Sequence, residues 1–239
     1  MNRRQVLGLG ATALLLTACG KGYYRQILQE LYREGKSEEA DSIQRIIESL
    51  IIVDSNNTYK KKGETEVKEL KAVGMGVVVG DNIITVDHVV SMYVNFVNTP
   101  FGVFAQEIDV LKRETKLDDI VLKEVVRDKE KDVAVFKTPD EYIGASYPFK
   151  LGDSDKVQYG QEILLIGNPA LHGINVREGI ISSKVKDDRL VISANIVPGD
   201  SGTAIVDRHT FELLGLSAQR WYDMIAVARP INLFKPYLK

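Results

Sequence analysis

The chain has 239 residues, 44% of them apolar and 27% charged, with 31 Lys and Arg against 33 Asp and Glu. That length can bury the core of one large domain or two small ones, and the composition excludes wholesale disorder and collagen-like structure. A net charge of -2 speaks against nucleic acid held on a basic surface, and one cysteine with three scattered histidines (His88, His172, His209) leaves neither an internal disulfide nor a metal cluster.

Met1–Cys19 reads as an address. Arg3 and Arg4 precede a 13-residue apolar stretch, Val6–Ala18. That is too short for a bilayer, which takes about 20 residues, but it suits a secretory signal. Leu16-Thr17-Ala18-Cys19 resembles the bacterial lipobox, in which the cysteine is acylated and becomes the new N-terminus; the single cysteine stands there. Arg3-Arg4-Gln5-Val6-Leu7 is similar to a twin-arginine export signal, with Asn2, Val6 and Gly8 departing from its usual residues. Together they imply a lipid-anchored protein on the extracytoplasmic side of the cell envelope.

Residues 20–55 follow as a helical hairpin. Tyr24, Ile27, Leu28 and Leu31 recur at helical spacing, and Gly35-Lys36 interrupts them. Ser37 is placed to N-cap a second helix with Glu38 and Glu39 in its first turn. Its apolar stripe runs through Ile43, Ile46, Ile47, Leu50 and Ile51. The hairpin resembles a single tetratricopeptide unit with no second copy, and reads as a spacer packed on the main domain or as a partner-binding module. Residues 56–71, polar and with Lys60–Lys62 in a row, read as a linker or an irregular first strand.

From Ala72 the texture becomes β-rich. Twelve short runs are predicted as strands: Val77–Val79, Ile83–Val86, Val94–Val97, Val103–Val110, Ile120–Val126, Val133–Lys137, Glu162–Ile166, Ile180–Val185, Leu190–Ser193, Thr203–Val206, Leu213–Ala218 and Ile225–Ala228. Lys186–Arg189 and Asp207–Thr210 supply hairpin turns. Such spacing points to an all-β sandwich or barrel rather than βαβ units. Ile231–Lys239 reads as a short amphipathic helix limited by Pro236.

Six segments stand out in this region: Thr85-Val86-Asp87-His88-Val89-Val90, Asp132-Val133-Ala134-Val135, Leu151-Gly152-Asp153-Ser154, Gly167-Asn168-Pro169, Gly179-Ile180-Ile181-Ser182 and Pro198-Gly199-Asp200-Ser201-Gly202. In this order they resemble the chymotrypsin-fold serine proteases, most closely the HtrA/DegP-type branch. The resemblance implies an all-β, chymotrypsin-like double six-stranded β-barrel over residues 72–239, preceded by the helical hairpin. It implies a catalytic triad of His88, Asp132 and Ser201, and no metal or cofactor. A serine hydroxyl attacks an amide only when a base takes its proton, and a carboxylate on the far imidazole nitrogen holds that base in the right tautomer. Asp132 is preferred over Asp87, Asp118, Asp119 and Asp128 because it directly precedes an apolar run. Asp87 should point away from His88 if the backbone there is extended.

By the same resemblance, the N–H groups of Gly199 and Ser201 form an oxyanion hole. Asp200 stands where digestive trypsin-like enzymes pair an aspartate with a freshly cut N-terminus; no cleavage motif precedes the barrel, so loops must order the hole instead. Ser201-Gly202-Thr203-Ala204 replaces the usual Ser-Gly-Gly-Pro. Asn195, six residues before Ser201, falls at the floor of the specificity pocket, and a neutral floor favours small or medium apolar residues over Lys or Arg. Ser217, Ala218 and Gln219 match the edge that pairs with extended substrate. The implied function is a membrane-anchored serine endopeptidase acting on unfolded or misfolded envelope polypeptides. The sequence ends at Lys239, and no PDZ domain is expected after the barrel. Two other readings stay open: a catalytically inactive peptide-binding lipoprotein of the same fold, and a hairpin-borne function with the barrel as platform.

Overall fold

A computed structural model describes residues 24–238 apart from 62, 92–93, 100–101, 187 and 223. The signal segment, its arginines and Cys19 lie outside the described residues. Two helices come first, α1 (Tyr24–Arg33) and α2 (Ser37–Ile47). The turn between them uses Gly35 at a φ of 76°, where a glycine carries no Cβ penalty. Two expectations are corrected here. Ser37 is the first helical residue rather than the cap; Lys36 holds that position without a side-chain cap bond. The helix also stops at Ile47, where Glu48 and Ser49 N–H groups bond back to Gln44 and Ile46 carbonyls, so Leu50 and Ile51 belong to a strand.

That strand, β1 (Leu50–Lys61), lies between β2 (Val67–Val79) and β5 (Gly102–Leu117), antiparallel to both. Its register on β2 runs from Leu50 opposite Val77 to Lys60 opposite Val67. Residues 56–71, read as a linker or an irregular first strand, are therefore mostly the paired ends of two strands. Part of the polarity around this strand is inward-facing: Ser55 and Asn57 are buried, with Asn57 Nδ2 donating to Ser55 Oγ (3.0 Å) and Ser55 Oγ to the Val90 carbonyl (2.8 Å), while Asn57 Oδ1 has no partner among the described residues.

The first sheet is completed by β3 (Asn82–Thr85), β4 (Val94–Thr99), β6 (Ile120–Val121), β7 (Lys123–Asp128) and β8 (Val133–Lys137), in the order β4-β5-β1-β2-β3-β8-β7 with β6 on β5. A single helical turn, α3 (Asp87–Val90), follows β3. The second sheet is a closed barrel, β10-β11-β14-β13-β12-β9. Its strands are β9 (Glu162–Gly167), β10 (Asn175–Lys186), β11 (Arg189–Ser193), β12 (Ala204–Asp207), β13 (Leu213–Tyr222) and β14 (Ile225–Pro230). This is the chymotrypsin-like two-barrel architecture. Its first half differs in detail from two equal barrels, being an eight-stranded half-barrel rather than a closed six-stranded one.

Strand alternation divides the core. On β9, Ile163 and Leu165 fill the closed barrel, while Leu164 and Ile166 face the core shared with the first sheet. Leu28, Ala40, Ile43, Ile46 and Ile47 of the hairpin enter that shared core, each large apolar side chain contributing roughly 1.5–3 kcal/mol by burial. No described helix is long and apolar enough to cross a membrane.

The chain closes on two 3₁₀ turns, Ile231–Leu233 and Lys235–Tyr237, rather than the amphipathic helix predicted there. Pro236 lacks the N–H that an α-helix would require at that point. Asp153 and Ser154 anchor these turns: Asn232 Nδ2 donates to Asp153 Oδ1 at 2.8 Å, and Asn232 N–H to Ser154 Oγ at 3.2 Å. The bonds from Asn232 and Lys156 hold the Asp153 carboxyl down at about 2. The Leu151–Ser154 segment is thus a docking point for the C-terminus.

Candidate active site

The two sheets meet at Ser201. Its carbonyl accepts from Met75 N–H of β2 (2.8 Å), and Gly202 N–H donates to the Ser217 carbonyl of β13 (2.8 Å). The residues just before it, Val197–Asp200, close a turn through an Asp200 N–H to Val197 carbonyl bond of 3.0 Å. Pro198 occupies the second position and Gly199, at a φ of 95°, the third, as a type II turn demands. Among the described residues, neither the Gly199 nor the Ser201 N–H has an intramolecular acceptor. Gly202 is required for space as well as dihedral (φ 85°): a Cβ there would lie 1.8 Å from the Met75 carbonyl oxygen.

His88 comes from α3, where the chain turns after β3. Thr85 Oγ1 holds this corner by donating to the Met75 carbonyl at 2.7 Å. The backbone is helical rather than extended, yet Asp87 still points away from the histidine, into a buried ion pair with Arg127 Nε at 2.7 Å. Asp132 ends the turn before β8 with a φ of 55°, a left-handed conformation that aspartate tolerates better than most residues. The expected trio is brought together. His88 Nε2 lies 2.7 Å from Ser201 Oγ, and Nδ1 lies 3.0 Å from both oxygens of Asp132. The His88 backbone N–H also donates to Asp132 Oδ1 at 2.9 Å.

An arginine unforeseen in the sequence completes this corner. Arg229 at the end of β14 donates Nε–H to Asp132 Oδ2 at 3.2 Å. Burial pushes the Asp132 pKa up, but the His88 hydrogen bonds and charge, with Arg229 beside them, outweigh it and leave the group below its ordinary value. An ionised Asp132 can only accept, so the bond from Nδ1 carries the imidazole proton and Nε2 is the acceptor for the Ser201 hydroxyl.

Asp200 is completely buried and is met by an arginine of β10. Arg177 Nη1 and Nη2 donate to its two carboxylate oxygens at 2.7 and 2.6 Å, and Nη1 also donates to the Asn195 carbonyl at 2.8 Å. Nothing in the sequence marked Arg177 or Arg229, which fall just outside the predicted strands Ile180–Val185 and Ile225–Ala228.

The expected specificity residues fare unequally. Asn195 is exposed, and its backbone carbonyl rather than its amide is engaged. Ser217 is fully buried; its N–H donates to the Thr203 carbonyl (2.9 Å), its hydroxyl to the Asp200 carbonyl, and its own carbonyl accepts from Gly202. It therefore braces the Val197–Ser201 turn, with its hydroxyl and N–H both donating within the fold. Ala218 is buried beside it, and Gln219 is exposed on the same strand. His172 and His209 are exposed and apart from this cluster; His209 Nε2 lies 3.0 Å from Glu162.

A closed barrel and a half-barrel joined at such a turn place the chain in the chymotrypsin-like class of β-proteins. Residues 74–216, more than half of the chain, match the trypsin-like peptidase domain, and the chain belongs to that family. Two Pseudomonas putida proteins, each described as a probable periplasmic serine endoprotease, DegP-like, are 27% identical over 161 and 162 residues. The match covers 64% of this chain but 30% of each relative, so the chain spans under a third of their length. Among solved structures, the HtrA-type protease AlgW with decapeptide is similar in fold, with a TM-score of 0.56 and 22% identity over 82% of this chain and 64% of that one.

Proposed function

We propose that this chain is a serine endopeptidase of the cell envelope, working through a Ser201–His88–Asp132 triad and an acyl-enzyme. One observation carries the reading: the 2.7 Å approach of Ser201 Oγ to His88 Nε2, whose other nitrogen is held by Asp132. As Ser201 Oγ bonds to the substrate carbonyl carbon, its proton passes to Nε2. The carbonyl oxygen becomes an oxyanion and accepts from the Gly199 and Ser201 N–H groups, roughly 3–4 kcal/mol per donor in the transition state. Collapse breaks the C–N bond, and Nε2 returns the proton to the leaving nitrogen. Water then repeats the sequence on the ester, with His88 as base, and restores the Ser201 hydroxyl.

Unfolded or misfolded envelope polypeptides are the substrate class, supported by the periplasmic description of the relatives and by the export-type segment before Cys19. Acylation of Cys19 would hold the enzyme at a membrane surface. Asn195 is neutral but exposed, so the reading of cleavage after small or medium apolar residues rests on the family resemblance and not on its placement; dominance of Arg or Lys on the acyl side of the cut in a peptide library would overturn this preference. Fluorophosphonate labelling of the full chain beside Ser201→Ala tests the reading as a whole. Labelling that disappears with the substitution supports an activated nucleophile; equal labelling of both, or of neither, rejects it.

A further inference from the structure

Asp200 lies between the two residues whose N–H groups would bind the oxyanion, and none of its polar atoms is idle. Its N–H closes the turn on Val197, and its carbonyl accepts from Thr203 N–H (2.9 Å) and from the Ser217 hydroxyl. Its carboxylate accepts from Val197 N–H (2.8 Å) as well as from the Arg177 fork. The Arg177 side chain is four-fifths buried, and through Asn195 and Asp200 its guanidinium grips both ends of residues 195–200. Type II geometry at Pro198-Gly199 leaves the Gly199 N–H unused, and a relaxed type I turn would rotate that peptide. A buried carboxylate without a cation would pull the turn toward water or toward another donor. The fold supplies the cation itself, from a strand of the same barrel.

We infer that Arg177 is a positioning residue for the oxyanion site: its fork on Asp200 sets the Val197–Asp200 turn, so the site is formed by folding alone and needs neither chain cleavage nor a bound activator. The inference rests on the peptidase reading above and adds the regulation of that site. Among the described residues Arg177 makes no hydrogen bond to His88 or Ser201, so its polar link to the chemistry runs through the turn. A planar five-donor guanidinium can span two carboxylate oxygens and a carbonyl at once; a lysine ammonium in its place keeps charge without that fork.

The test compares the full chain with Arg177→Lys and Arg177→Met, reading kcat, KM, fluorophosphonate labelling rate and near-ultraviolet circular dichroism. Loss of one well-placed oxyanion donor lowers kcat by about 10²–10³-fold, and Arg177→Met should fall in that range with KM changed by less than about 3-fold. Arg177→Lys should fold like the unaltered chain and still lose about 10-fold in kcat. In both, the acid limb of the kcat profile should stay in place, because the His88–Asp132 pair is untouched. Folded variants that keep kcat within about 3-fold, or that change KM alone, overturn the inference. If Arg177→Met fails to fold, Arg177→Lys decides the matter by the same criterion. An unaltered chain that needs prior cleavage or an added peptide before it labels also overturns it. An unaltered chain that never labels rejects the peptidase reading, and the inference falls with it.

Discussion

Arg229 and His88 share one carboxylate: Asp132 Oδ2 lies 3.2 Å from the arginine Nε and 3.0 Å from the imidazole Nδ1. The arginine comes from the closed barrel and the histidine from the half-barrel, so Asp132 ties the two halves together electrostatically. The sign of its pH linkage follows. Asp132 is depressed in the folded chain, so its contribution is fully present above the unfolded value of about 3.9 and is lost as pH falls through the folded value. Removing Arg229 raises the folded value and narrows that window. Arg229→Met should start less stable at about pH 7 and then lose less on acidification to about pH 2. Thermal melts across that range check it, and parallel losses in the two proteins would contradict it.

Asp132→Asn addresses the chemistry at the same position. An amide can present its NH₂ group to Nδ1 and so favour the wrong imidazole tautomer, with Nε2 protonated and no longer able to take the Ser201 proton. The expected loss is about 10⁴-fold in kcat with the fold retained. Steady-state kinetics on a chromogenic peptide measures it, and a loss under about 10-fold would remove Asp132 from the proposed triad.

Thr203 and Gly167 form a second testable pair. A Cβ on Gly167 would sit 2.0 Å from Thr203 Oγ1, with the nearest atoms all belonging to that one side chain. Gly167→Ala alone should cost about 2–4 kcal/mol. Adding Thr203→Gly removes the obstruction, and a double-mutant cycle should return a coupling of about 1–3 kcal/mol. Strict additivity in denaturant melts would show that the two positions do not meet.

Ile46 tests whether the hairpin is an appendage. It is fully buried in the core shared by the helices and both sheets. Ile46→Ala should lower the stability of the whole chain by about 2–5 kcal/mol in a single transition. A melt that splits, with the main step unmoved, would make the hairpin an independent unit.

The strands of both sheets were legible wherever apolar residues run together or alternate, as on β8 and β9. β1 was not, because its inward positions include Ser55 and Asn57, and buried hydrogen bonding there erases the two-residue period of hydrophobicity. Ile47, Leu50 and Ile51 happen to extend a helical spacing across the real boundary, so the helix was read too long. At the site, His88, Asp132 and Ser201 each sit in a short recognisable segment. Arg177 and Arg229 have no such setting; their partners are 23 and 97 residues away, and only the folded chain puts guanidinium beside carboxylate. Ser217 was read from sequence neighbours that resemble a substrate-pairing segment, and only the folded chain shows its hydroxyl and N–H bonding to Asp200 and Thr203.

The passage from α2 into β1 takes only Glu48 and Ser49, and β1 is bonded on both sides from Asp54 onward. Tension arriving from the chain before Tyr24 would meet α1 and α2 first, and would reach β1 only after Leu28, Ile43 and Ile46 had left the shared core. Forced unfolding is governed by an unfolding rate, so the packing of the hairpin sets the first barrier and the paired ladders of β1 stand behind it. If Cys19 is the point of attachment, a pull on the anchored end strips the hairpin before it strains the sheets that position His88 and Ser201.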